Sequence, residues 1–263
     1  MWFLILFGVL LKHNVSGHLQ YDSKLQNLDK SLLVGSKASV HQFPYQVSLQ
    51  TQTSTNGSYY VHICSGALLS LKWVITTAYC VTPPGTKIRV VAGLLHREKF
   101  DADVQIMDVN TIIIHPDYQK NALLNDIALL KICSSLMFTK SVQPIAPAFS
   151  EDTWGAAILS SWKVQTHLLT TYSLKSLYYV VVYILTDDKC RHVLNNNYNL
   201  AVNSLCTEEI EEGPFCPGES GSPLIANGYL VGLSSWGPKP CGVLIYSRIS
   251  SYLDFIMKHV TDL

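Results

Sequence analysis

The chain has 263 residues, enough for one large β domain or two smaller ones with their own cores. Charged residues make up only 14% of it, against roughly 25% in an average soluble domain, and the formal net charge is zero. That balance gives no electrostatic basis for binding nucleic acid or an anionic membrane surface. Val, Ile, Leu, Thr and Tyr are prominent, which is the profile of a sheet-rich protein.

Residues 1–17, "MWFLILFGVLLKHNVSG", hold an apolar run of about ten residues, too short to span a bilayer. Small residues follow at Ser16 and Gly17, so the stretch reads as a secretory signal peptide cut near Gly17. Residues 18–32 are polar and read as a pro-segment or tail. Export places the seven cysteines in an oxidising compartment where pairing is expected, and an odd number leaves at least one over. From Pro44 onward, short apolar runs such as "YQVSLQ", "KIRVVAG" and "VNTIIIH" alternate with turns, the spacing of a β-barrel or sandwich rather than of alternating βα units. The Pro-containing connector "VQPIAPAF" marks a boundary near residues 141–150, after which a second series of β-like runs begins. At the end, Leu253, Ile256, Met257 and Val260 stand at helical spacing and predict an amphipathic helix over about residues 251–262. The polar patch "TQTSTNGS", residues 51–58, reads as an exposed loop, and Asn56 within it is a glycosylation acceptor.

Eight motifs stand in order along the chain: "LLVGS", "PYQVSL", "CSGALLS", "WVITTAYC", "HPDY", "NDIALLKI", "GESGSP" and "SSWG". Together they resemble the trypsin-like (chymotrypsin-fold) serine proteases, from about Leu33 to the C-terminus. The resemblance implies an all-β fold of two six-stranded antiparallel barrels with a C-terminal α-helix, the active site lying between the barrels. The protease domain would then span residues 33–263, with barrels over about 33–140 and 150–250. It implies that Ser220 stands at the nucleophile, Asp126 at the carboxylate that orients the base, and Gly218 and Ser220 N–H at the oxyanion hole. Ser235, Trp236 and Gly237 fall on the edge that hydrogen-bonds a substrate backbone. Three disulfides are implied, Cys64–Cys80, Cys190–Cys206 and Cys216–Cys241, with Cys133 left over.

Where the resemblance asks for the histidine base, this chain has Tyr79. A triad base must take the serine proton near neutral pH and return it to the leaving group. An imidazole ionises near 6.5 and a phenol near 10, so about one free phenol in a thousand is ionised at pH 7. Removing the histidine from such a triad lowers turnover about a million-fold, as measured in subtilisin. Other departures accompany it. Activated family members expose a new Ile or Val terminus after cleavage at a basic residue; here Leu33-Val34-Gly35-Ser36 follows Leu32, and the nearest basic residue is Lys30. The aspartate that such a terminus pairs with is Glu219, and His62 falls where the family often has a histidine that holds this acid in the inactive precursor. A Glu219–His62 pair is therefore expected. The specificity pocket carries Pro214 and Phe215 where a trypsin has its aspartate, and its far wall is Leu244 if Tyr246 is the matched tyrosine, or Gly242 if the match falls at Gly242-Val243.

These features lead to the expectation of a secreted, inactivated relative of the trypsin-like proteases that acts by binding, similar to the inactivated paralogues of arthropods, including those of parasitic mites. The partner expected is a protein: a protease, an inhibitor or a component of a defence cascade. Tyr59 and Tyr60 in the loop around residues 51–62 would supply aromatic anchors. No cofactor and no metal is expected, Leu94-Leu95-His96 standing where family calcium loops are acidic. The chain is expected to be a monomer unless Cys133 bridges two copies. The alternatives are a weak or atypical serine endopeptidase using Ser220 and the oxyanion hole, and a drifting duplicate without a selected role.

Overall fold

The computed structural model describes residues 35–52, 59–82, 85, 87–150, 155–165, 171–194, 200–209, 216–238 and 242–263. The predicted signal peptide, the 18–32 segment, Asn56, Pro214, Phe215 and the Cys216–Cys241 bridge lie outside the described residues.

Strand β1 (Ser36–Lys37) is followed by β2 (Gln46–Gln52), β3 (Tyr60–Leu68), β4 (Trp73–Thr76), β5 (Ile88–Ala92), β6 (Gln105–Ile114) and β7 (Ala128–Ile132). The last six close into a barrel in the order β2-β3-β4-β7-β6-β5, every pair antiparallel. Closure leaves no strand edge open, so a run such as Trp73–Thr76 can be apolar or buried at every position. Val47, Leu49, Leu68, Val74, Val90 and Leu130 fill the barrel.

The second half comprises β8 (Ala156–Gln165), β9 (Thr171–Tyr183), β10 (Ser204–Cys206), β11 (Cys216–Pro217), β12 (Pro223–Ala226), β13 (Tyr229–Trp236) and β14 (Ile245–Arg248). Among the described residues it is an eight-stranded antiparallel sheet in the order β1-β9-β8-β12-β13-β14-β10, with β11 also on β8, where the sequence predicts a six-stranded barrel. The extra strands are the two-residue segments β1, which pairs with Tyr178 and Tyr179 of the long β9, and β11, which pairs with the end of β8. Leu159, Val180, Leu224, Val231 and Tyr246 form its core.

A third cluster joins the two halves. Tyr45, Ile75 and Leu129 of the barrel pack with Ile225 and Leu233 of the sheet and with Phe255 and Ile256 of the C-terminal helix Leu253–His259. That helix is shorter than predicted, and its buried stripe differs: Tyr252, Phe255, Ile256 and Val260 face inward while Met257 is exposed. A 3-10 turn at Ile249–Tyr252 leads into the helix and sets this phase, so the wide Phe255 ring rather than Met257 fills the groove. The connector after β7 is tied to both halves, Ile145 N–H donating to Leu68 O (2.9 Å) and Ala148 N–H to Leu230 O (2.9 Å).

Cys64–Cys80 and Cys190–Cys206 are bridged, and Cys133 is a free, exposed thiol at the end of β7. With Cys216 and Cys241 bridged as the resemblance implies, thiol labelling of the native protein is expected to mark Cys133 alone; a second labelled cysteine, identified by peptide mapping, would contradict this. Among the described residues no helix is long and apolar enough to cross a membrane.

Candidate active site

Three chain segments converge on Asp126, which is 1% exposed. The 3-10 turn Ala78–Val81 presents its Tyr79 N–H to Asp126 Oδ1 at 2.8 Å. From β13, Ser235 Oγ donates to Oδ2 at 2.5 Å, and from β14, Ser247 Oγ donates to the Asp126 carbonyl at 2.7 Å. Burial pushes the Asp126 carboxyl up from its ordinary range, opposed by the hydrogen bonds from Ser235, Tyr79 and Ala78. The structure thus brings Tyr79, Asp126 and Ser235 together, through the Tyr79 backbone and not its ring. The phenol side of Tyr79 is turned outward, with the residue 51% exposed.

Ser220 is half-buried in the turn between β11 and β12. Its carbonyl accepts from Ser65 N–H (3.2 Å), and Gly221 N–H donates to Ser234 O (2.8 Å), one residue before Ser235. Gly221 has φ of 81° and a Cβ there would strike Ser65 O and the Thr76 hydroxyl, so only glycine lets the turn lie this close to β3 and β4. Gly218 N–H donates to Lys163 O at 3.1 Å, which continues by one bond the ladder pairing β11 with Val164 and Gln165 of β8. This amide, assigned by the sequence to the oxyanion hole, is thereby directed into the sheet.

Glu219 is a fully buried carboxylate held by several polar and basic groups. Its Oε2 lies 2.8 Å from His62 Nε2, both side chains being 2% exposed, and His62 Nδ1 lies 2.8 Å from Ser48 Oγ. Its Oε1 accepts from Ser65 Oγ (2.7 Å) and Trp162 N–H (3.3 Å), and Lys163 Nζ stands 3.6 Å from Oε2. Burial alone would raise this carboxyl, but the His62 charge and hydrogen bond, Lys163 and Ser65 outweigh it and hold it at about 2. The expected Glu219–His62 pair is present. Ser48, Ser65 and Lys163 were not singled out by sequence reasoning; the legible signal was Lys163, the one ionisable residue in the run "AAILSSWKVQ".

On the pocket side, a Cβ built on Gly218 would meet Leu244 Cδ1 at 3.4 Å and Leu159 Cδ2 at 3.8 Å. Leu244 is thus the residue of "CGVLIY" that packs beside Gly218, with Tyr246 fully buried two residues on. Trp236 is half-buried and Gly237 exposed at the end of β13. Among the described residues, no three His, Cys, Asp or Glu side chains gather closely enough to hold a metal ion.

The sequence matches the trypsin family over residues 32–256. It is 30% identical to trypsin II-P29 of Gallus gallus over 88% of this chain and 90% of that protein. It is 31% identical to trypsin-1 of Astacus astacus over 84% of this chain and 97% of that protein. Bovine coagulation factor XI shares 28% identity with it over 93% of this chain and 41% of its own length. With this match and a fold of two antiparallel β-sheets, one a closed six-stranded barrel, and a short C-terminal helix, the chain belongs to the trypsin family of serine proteases.

Proposed function

We propose that this trypsin-family chain is a secreted protein that acts by binding another protein and does not hydrolyse peptides. The observation that carries the reading is Tyr79: the residue in the base position gives Asp126 only its backbone N–H and turns its phenol to solvent. Three further features support it. Glu219 is already engaged by His62, the Gly218 amide donates to Lys163 O, and Leu244 packs against Gly218 where the resemblance implies open pocket. Secretion draws its support from the leader-like residues 1–17 and the two disulfides.

The partner proposed is a protease, an inhibitor of proteases or a defence-cascade component, with the chain as decoy or regulator. Of the two tyrosines beside the 53–58 segment, Tyr59 is 72% exposed and free to act as an anchor. Tyr60 is covered by the Arg89 guanidinium, 3.7 Å from its ring centroid, so the aromatic contact falls to Tyr59. The competing reading, an atypical serine endopeptidase, draws on Ser220 in its glycine-flanked turn and on the retained Asp126–Ser235 bond. The deciding experiment is hydrolysis of Arg, Lys, aromatic and small-residue peptide substrates by recombinant residues 18–263 beside its Ser220→Ala variant. Equal, background-level rates are expected; turnover that disappears in Ser220→Ala would establish the endopeptidase instead.

A further inference from the structure

Arg89 is held in one place by its own barrel. On β5 it stands in register with Gln50 of β2 and with Asp108 of β6. Its Nε and Nη2 both donate to Gln50 Oε1, at 3.0 and 2.8 Å. Gln50 is 4% exposed, and its Nε2 donates to Ser48 Oγ at 3.2 Å, which fixes the amide with its oxygen toward the guanidinium. From β3, the Tyr60 ring lies under the guanidinium carbon, 3.7 Å from its centroid. These contacts leave the far edge of the fork open. Among the described residues no hydrogen bond or ion pair reaches Nη1, and Asp108 acts on Arg89 through space without bonding it. Lys87, just before β5, is exposed, and its carbonyl accepts from Thr51 Oγ at 3.0 Å. With the buried Ile88 between them, strand alternation puts Lys87 on the same side as Arg89.

We propose that this face of the barrel is the docking surface for the protein partner and that the segment it takes is acidic: a partner carboxylate seats on the open Nη1–Nη2 edge of Arg89, with an apolar neighbour of that carboxylate on Tyr59. The proposal rests on the binding reading above and gives the partner's chemistry. A guanidinium fork matches a carboxylate with two parallel hydrogen bonds, and packing its flat face on a ring leaves those in-plane N–H groups available. Gln50 and Tyr60 have already ordered the side chain, so binding forfeits little of the rotamer freedom that an unsupported arginine would lose. Tyr59, 72% exposed, supplies the aromatic contact, and tyrosine and arginine are the residue types that dominate interface hot spots. Lys87 adds a second positive charge, which favours an acidic segment and repels a basic one.

The test is NMR titration of isotope-labelled residues 18–263 with the peptide acetyl-Glu-Glu-Leu-Glu-amide and with its uncharged counterpart acetyl-Gln-Gln-Leu-Gln-amide. The glutamate peptide is expected to shift the Arg89 Nε–H and the Tyr59 and Tyr60 amides saturably, and the glutamine peptide to bind at least about fivefold more weakly. Arg89→Lys keeps the charge and loses the fork, and is expected to weaken the glutamate peptide at least about threefold; Arg89→Gln is expected to weaken it further. Unmoved Leu49 and Val90 amides in each variant show the barrel to be intact. Equal affinity for the two peptides, no saturable shift at Arg89, or unchanged binding in a folded Arg89→Gln each overturn the proposal. So does a sulfated heparin disaccharide that shifts the same resonances at lower concentration than the peptide, because it would assign the surface to a glycan. None of these readouts is hydrolysis, so their failure removes this surface and leaves the binding reading to the Ser220→Ala comparison.

Discussion

Tyr79→His is expected to leave the protein at least about a thousandfold below a working trypsin in kcat/KM, because it returns only one of the parts that the proposed binding role counts as lost. A histidine at this position would stand beside Asp126, whose Oδ1 faces the turn that carries residue 79. In an otherwise complete triad the base accounts for about a million-fold in turnover. On the binding reading the rest of the site does not use it. An oxyanion donor that points elsewhere costs about a hundred- to a thousandfold by itself, and the Gly218 N–H is spent on Lys163 O. On that reading Leu244, packed beside Gly218, also narrows the pocket. Steady-state kinetics on Arg, Lys, aromatic and small-residue substrates, with Ser220→Ala in the Tyr79→His background as control, measure the outcome. Recovery to within tenfold of an ordinary trypsin would mean that the Gly218 amide and the pocket rearrange freely once a base is present, and the closed-site account would fall.

His62→Ala is expected to cost about 3–5 kcal/mol, or roughly 6–20 °C in Tm for a chain of this size. The variant strips a fully buried carboxylate of its closest basic partner and leaves the Ser48 hydroxyl with Gln50 Nε2 in place of the imidazole. Lys163 and Ser65 remain on Glu219, so the lower half of that range is the expected result. The same pair shapes the response to acid. Glu219 is held at about 2 in the folded chain, against about 4.3 for a free glutamate. Its folded value is depressed, so its contribution is complete above the unfolded value and is lost as pH falls toward about 2, on the order of 3 kcal/mol in all. Urea midpoints measured between pH 6 and pH 2.5 should therefore fall for the wild type, and fall less steeply for His62→Ala from its lower starting point. A loss under about 1 kcal/mol at pH 6 would show that the buried pair contributes little to stability.

Much of the site could be read because it depends on local spacing. Gly221 next to Ser220 is dictated by a turn that admits no Cβ, and the family resemblance of "CSGALLS" and "WVITTAYC" implies the Cys64–Cys80 bridge that places residue 79 beside a disulfide. The substitution of phenol for imidazole is likewise a statement about one side chain and its proton. The Glu219–His62 pair was legible only through the family resemblance, since the partners stand 157 residues apart.

By itself the sequence determined the family, the all-β architecture, the cysteine pairs at 64–80 and 190–206, and the residue types at the candidate site. The β-rich character follows from periodicity and turn chemistry, and the family, the barrel architecture and the cysteine pairs follow from the resemblance carried by eight motifs in order. Only the tertiary structure decided where those residues' hydrogen bonds go. It turned the Tyr79 ring outward, covered Tyr60 with Arg89, set Leu244 against Gly218, and placed Lys163 with one end on Glu219 and the other on the Gly218 amide. The physical reason is the same in each case. A donor or a cation in a β protein is satisfied by whichever strand the sheet brings alongside, and a single register shift in β8 is enough to choose that partner.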